Sequence, residues 1–208
     1  MPEEKTFEAV AEEHRRLANV ETKIKDAVIE PSWDELSDYA TALRRLERYK
    51  HLFEAAEARH NLPPGILRAI AATESRGRRD IITGELPSTA GAVGMMQFMR
   101  DTADDYGLIV DENVDERTDP AKAITAAAKK VSHDLEDTGG NIELTAAYYN
   151  AGPTATKRWL AGDQRLPTET RRYMGKVRNL MLEVPEAPTT SVAEAADTGQ
   201  VDTGNGSP

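Results

Sequence analysis

The sequence predicts a mainly helical fold. Three observations lead there. Apolar residues recur at the helical interval in one segment after another. Gly, Pro and small polar residues stand where helices start and stop. Hydrophobic residues make up 39%, charged residues 30% and aromatic residues 5% of the 208, enough for one folded core with polar segments attached.

Residues 1–30 read as an amphipathic helix, with Phe7, Val10, Leu17, Val20, Ile24 and Val28 on one stripe until Pro31 interrupts it. Ser32 then begins a capping box with Glu35, and Trp33, Leu36, Tyr39, Leu43 and Leu46 continue an apolar stripe. These two helices form an N-terminal arm, residues 1–46, expected to pack on the rest of the chain or to dock on a partner protein. Residues 47–60 are expected to form a third helix closed by "NLPPG", with Pro63 or Pro64 opening the next one. That next helix, "GILRAIAATE", ends on Glu74.

Residues 76–92 are rich in Gly, Ser, Thr and Pro and read as a loop with a small hairpin. "VGMMQFMRDTADDYGL" is expected to be helical after Gly94. "DPAKAITAAAKKVSHDLEDTGG" is a helix with Asp119 as cap, Pro120 at its start and Gly139-Gly140 at its end. "NIELTAAYYNAGP" is stopped by Gly152-Pro153, "TATKRWLAG" is short, and "PTETRRYMGKVRNLML" is the last helix. Residues 183–208 hold five acids and no basic or aromatic residue, a composition expected to be disordered.

Charge and composition exclude several roles. The formal net charge of −10 disfavours nucleic-acid binding, which needs a basic face. Without cysteine there are no disulfides or thiolate metal sites. The four histidines are scattered at 14, 51, 60 and 133 without metal-ligand spacing, so neither a metal nor another cofactor is expected. No segment reaches the ~20 apolar residues of a membrane span, and the first twenty residues lack the apolar core of a signal peptide.

Three short segments can carry chemistry: "ATESRGRRD", "STAGAVGMMQFM" and "AAYYNAGP". Each alone is weak, since a glutamate at a helix end is usually solvated or ion-paired and "YNAG" is usually a helix stop. Their order resembles the soluble lytic transglycosylase domain of the lysozyme-like superfamily. The matching residues are Glu74-Ser75, then Gly94-Met95-Met96-Gln97, then Tyr149-Asn150-Ala151-Gly152, then Tyr173. The resemblance spans about residues 47–180. Departures are the eighteen residues from Arg76 to Val93, longer than the family pattern, methionine at 95 in place of leucine, and Arg100 in place of a proline.

The resemblance implies a lysozyme-like catalytic domain at 47–182 with a small irregular or β-hairpin lobe. It implies cleavage of peptidoglycan between N-acetylmuramic acid and N-acetylglucosamine, leaving a 1,6-anhydro end. Glu74 would be the acid and then the base. Ser75, Gly94, Met95, Gln97, Tyr149, Asn150 and Tyr173 would serve the substrate side, Tyr149 by hydrogen-bonding the glutamate and Glu169 by supporting Tyr173. That chemistry needs Glu74 protonated near neutral pH, so Arg76, Arg78 and Arg79 are expected to point away from it. Delivery without a signal peptide fits a phage particle, with residues 1–46 and 183–208 binding other virion proteins. Two alternatives remain open: a hydrolytic, goose-type lysozyme using Asp80, Glu85 or Asp104 as second carboxylate, and a structural virion protein with an inactive domain.

Overall fold

The computed structural model describes residues 7–182; the acidic segment 183–208 lies outside the described residues. The described residues form an assembly of helices around one central helix, with two isolated antiparallel bridges, Val93 to Phe98 and Val110 to Asp115, in place of a sheet. No described helix is long and apolar enough to cross a membrane.

The central helix is α4, Ile66–Ser75. Its residues Ile66, Leu67, Ala69, Ile70, Ala71 and Ala72 are all fully buried, so it is apolar almost all round, as a core helix must be. Around it stand α2 (Trp33–Leu46), α3 (Lys50–Arg59), α7 (Pro120–Asp137) and α10 (Thr168–Met181). Helix α8 (Ile142–Ala151) lies between α7, α10 and the short α9 (Pro153–Ala161).

The local signals act as their chemistry demands. Ser32 caps α2 with its reciprocal partner Glu35, at 3.2 and 3.0 Å. The Asp119 carboxylate accepts from Ala121 and Lys122 to start α7. The Asn141 side chain accepts from Leu144 to start α8.

Four sequence expectations are corrected. The segment 47–60 is not one helix: Glu47–Tyr49 form a 3₁₀ turn that bends the chain from α2 into α3. Neither Pro63 nor Pro64 opens α4. Gly65, at φ 85°, precedes its first residue, and the buried carboxylate of Glu57 accepts from the Gly65 and Leu67 N–H groups at 2.9 Å each. The segment 94–99 is a turn, and only Arg100–Asp105 (α6) is helical, because Gly94 and Gln97 take left-handed backbone angles and Val93 pairs with Phe98. Within the expected loop 76–92, Arg79–Ile82 form a single helical turn, α5.

The stripe on α1 (Phe7–Ala27) is buried only toward its C-terminal end. Val10 and Leu17 are exposed, whereas Ile24 and Ala27 enter a second apolar cluster with Leu144, Ala147, Trp159, Leu166 and Met174. The strap from α1 to α2 then crosses α10. Ile29 N–H donates to Arg171 O at 3.1 Å, Arg171 Nε donates to Ala27 O at 2.7 Å, and Glu30 pairs with Arg178. Gly175 makes the crossing possible, since a Cβ there would sit 2.2 Å from the Ile29 carbonyl oxygen.

Candidate active site

Glu74 lies in the last turn of α4, where the chain breaks sharply away. Arg76 takes a left-handed φ of 51° and closes the helix onto Ala72 O. Ser75 Oγ donates to Ala71 O at 2.9 Å and accepts from Gly77 N–H at 3.2 Å. Gly77 presses so closely on α2 that a Cβ would lie 2.8 Å from that of Arg45. The turn therefore frees one face of the last helical turn without exposing the helix itself.

Glu74 is half-buried, and Tyr173 Oη donates to its Oε1 at 2.7 Å. Loss of solvation pushes the carboxyl pKa up to about 7. The Tyr173 hydrogen bond opposes that rise, the negative charge of Glu169 adds to it, and Lys130 opposes it weakly. The negative end of the α4 dipole acts in the same direction as burial. Among the described residues no arginine is among the charges acting on the carboxyl: Arg76 stacks over the Tyr39 ring at 4.7 Å, Arg78 pairs with Asp80, and Arg79 is exposed. The acid at the end of this apolar helix thus keeps a raised pKa although basic residues follow it, because Arg76 and Arg78 are engaged elsewhere.

Tyr149 does not reach Glu74. Its hydroxyl donates to Met96 O at 2.9 Å, its ring meets Phe98 at 6.4 Å between centroids, and the Lys130 ammonium lies 4.9 Å above it. The hydrogen bond expected of Tyr149 is made by Tyr173 instead, and Tyr149 braces the opposite loop. Burial and the neighbouring Glu74 charge push both phenols well above their usual range.

Three further expectations change. Ser75 is fully buried and holds the turn, so its hydroxyl is not presented to a ligand. Met95 is fully buried beside Met96 and belongs to the core rather than to a cleft surface. Gly94 is required by the protein's own backbone, because a Cβ would overlap Arg117 O at 1.8 Å. Gln97 remains half-buried, with Nε2 donating to Gly94 O at 2.9 Å and Oε1 without a partner among the described residues. Asn150 is half-buried, and its side chain makes no hydrogen bond among the described residues.

Sequence reasoning passed over two groups. Buried Arg117 donates to Phe98 O at 3.1 Å and Gly91 O at 3.3 Å and is held by Asp115, sewing the 91–98 loop together. Lys130 and Asp134 form a buried pair on α7. The second was visible as two charges on the Ala123, Ala127, Val131 stripe; the first had no local signal. Of the carboxylates weighed for hydrolysis, Asp80 is bound to Arg78, Glu85 accepts from the Thr83 hydroxyl, and Asp104 is exposed. The carboxylate whose charge acts on Glu74 is Glu169.

Residues 51–171 match the family described as the transglycosylase SLT domain. The chain belongs to that family. It is 33% identical over 153 residues to the peptidoglycan transglycosylase gp16 of Escherichia phage T7, an alignment that covers 70% of this chain but 11% of the phage protein. Its fold resembles the 70 kDa soluble lytic transglycosylase SLT70 of Escherichia coli, with a TM-score of 0.53 and 25% identity over 62% of this chain and 22% of that one. The SLT match stops two residues before Tyr173, the hydrogen-bond partner of Glu74.

Proposed function

We propose that this chain is a peptidoglycan lytic transglycosylase that cleaves the β-1,4 bond between N-acetylmuramic acid and N-acetylglucosamine. The observation that carries the reading is Glu74, a carboxyl pushed up to about 7 at the end of a buried helix and held by Tyr173. A carboxyl so placed can give a proton at neutral pH and take one back.

In the first step the Glu74 proton passes to the glycosidic oxygen, the C1–O bond of the muramyl unit breaks, and the N-acetylglucosamine fragment leaves. Glu74 is then a carboxylate. In the second step it removes the proton of the muramyl C6 hydroxyl as O6 bonds to C1, closing the 1,6-anhydro ring and restoring the acid. Tyr173 keeps the carboxyl in one orientation through both steps. The free Oε1 of Gln97 and the unpartnered amide of Asn150 serve the sugar's hydroxyl and N-acetyl groups. Fixed groups of this kind lower the cost of orientation.

The phage relative fits delivery in a virion, with residues 183–208 and the face of residues 1–46 that does not pack on α4 and α10 as contacts to other particle proteins, and with the catalytic groups in residues 47–182. The test is product analysis. Purified peptidoglycan digested by the chain should yield anhydro-muropeptides, lighter by one water than hydrolytic products, and Glu74→Gln should yield none. Reducing-end products would establish a lysozyme instead.

A further inference from the structure

The reaction above uses none of the basic residues that follow Glu74. A groove of about 620 Å³ opens where the chain leaves α4. Arg45 and Arg48 line it from the end of α2 and the 3₁₀ turn, and Arg78, Arg79, Asp80 and Glu85 line it from the segment after Gly77. Four arginines thus gather against two carboxylates, in a chain whose formal net charge is −10.

The two carboxylates are already engaged. Arg78 holds Asp80 by both oxygens, with Nε donating to Oδ1 at 3.1 Å and Nη2 to Oδ2. Glu85 accepts from the Thr83 hydroxyl at 3.0 Å. Arg45 gives one N–H to Arg76 O at 3.4 Å. The guanidinium groups of Arg48 and Arg79 are exposed and have no hydrogen bond or ion pair among the described residues. Like charges left together are a cost that an anion between them removes, and a carboxylate fits the guanidinium fork.

The groove is within reach of the substrate at Glu74. Gly77 lines it three residues after Glu74, so their Cα atoms are at most about 11 Å apart. A stem peptide of four residues on a muramyl unit extends about 14 Å. Arg78 and Arg79 also stand on the stretch from Arg76 to Val93, where this chain is longer than the family pattern, so the groove belongs to what the chain adds to the domain. Its mixed charge suits a peptide. A stem peptide brings carboxylates to the arginines and the amine of its diamino acid to Glu85, whereas a phosphate polymer brings anions alone.

We propose that this groove is a stem-peptide site, in which Arg48 and Arg79 bind carboxylates of the peptide on the muramyl unit and give the enzyme a preference for peptide-bearing strands. The proposal rests on the peptidoglycan reaction proposed above and names what the same enzyme recognises beside the sugar.

The test compares kcat/KM of the full chain on glycan strands that carry stem peptides and on strands stripped of them by an amidase. The parent should favour the peptide-bearing strands. In Arg48→Gln with Arg79→Gln that preference should fall about tenfold, through KM rather than kcat, as two charge-assisted contacts are lost. Isothermal titration with free stem tetrapeptide should show Kd rising by about the same factor. The control variant, Lys129→Gln with Arg165→Gln, removes the same charge from exposed positions outside the groove and should keep the preference. A preference that falls equally in the control would overturn the proposal, since general attraction to an anionic polymer would then explain it. So would a parent that cuts both kinds of strand alike, or a tetrapeptide displaced by an equal concentration of inorganic phosphate. Anhydro products from both kinds of strand without preference would remove the stem-peptide site and leave the reaction standing. Absence of anhydro products from either would remove the reaction, and the titration would still read the site.

Discussion

Glu74→Gln should make the protein more stable in alkaline solution than in acid, relative to the parent. The parent carboxyl titrates at about 7 in the folded chain against 4.5 as the ordinary value. Between those values the unfolded chain has released the proton and the folded chain still holds it. The unfolded state therefore binds fewer protons, and stability falls as pH rises. A displacement of that size corresponds to about 3 kcal/mol, at 1.36 kcal/mol per pH unit, and this is an upper bound because Glu74 is only half-buried. Glutamine never ionises, so the variant escapes the loss while its carbonyl still accepts from Tyr173. The assay is urea unfolding of both proteins at intervals from pH 4 to 8.5. Every other titrating group is common to the pair, so the difference isolates Glu74. The difference should be smallest at pH 4, the variant should gain on the parent as pH rises from about 4.5 to about 7, and the gain should level off above that. A difference that is flat across the range would refute the reasoning, because Glu74 would then titrate alike in the folded and unfolded chains.

Other perturbations test single contacts. Tyr173→Phe removes the hydrogen bond that favours the Glu74 carboxylate, so the alkaline limb of activity should move to higher pH while kcat falls about tenfold, read from initial rates of muropeptide release. Gly94→Ala places a methyl group on Arg117 O and should cost about 3 kcal/mol or more in urea unfolding, since backbone cannot yield as a side chain does. Glu57→Gln keeps the shape of the group that caps α4 but leaves one buried backbone N–H facing an amide donor; a loss of about 1–3 kcal/mol is expected by the same assay.

What the sequence made legible was local. Ser32 with Glu35, Asp119 with Pro120, and the stop at Gly152 mark helix ends because each acts through bonds within four residues. Glu74 was legible as the acid through the order of the three motifs that resemble the family, and the apolar "ILRAIAAT" before it fits its burial. The segment 93–99 was misread as helix because its apolar residues suit one. The contact that forbids it comes from Arg117, about twenty residues away, and leaves no mark near Gly94. Likewise, nothing in "AAYYNAGP" or "RRYMG" tells which tyrosine reaches the acid. That depends on how α8 and α10 pack beside each other and α4, and α10 is seated against the strap at Gly175.

The strap at residues 28–31 has a consequence for what counts as the working piece of this chain. The inherited segment, 51–171, omits α2, the strap and the greater part of α10. Yet α2 walls the helix that bears the acid, the strap lies in the notch that Gly175 leaves for it, and α10 supplies the phenol on the acid. A fragment cut at the inherited limits would carry Glu74 and lose the hydroxyl that aims it. Homology draws its border through the middle of the machine, and the border that matters to a protein engineer runs at least from Ile24, the first residue of α1 in the core, to Met181, the end of α10.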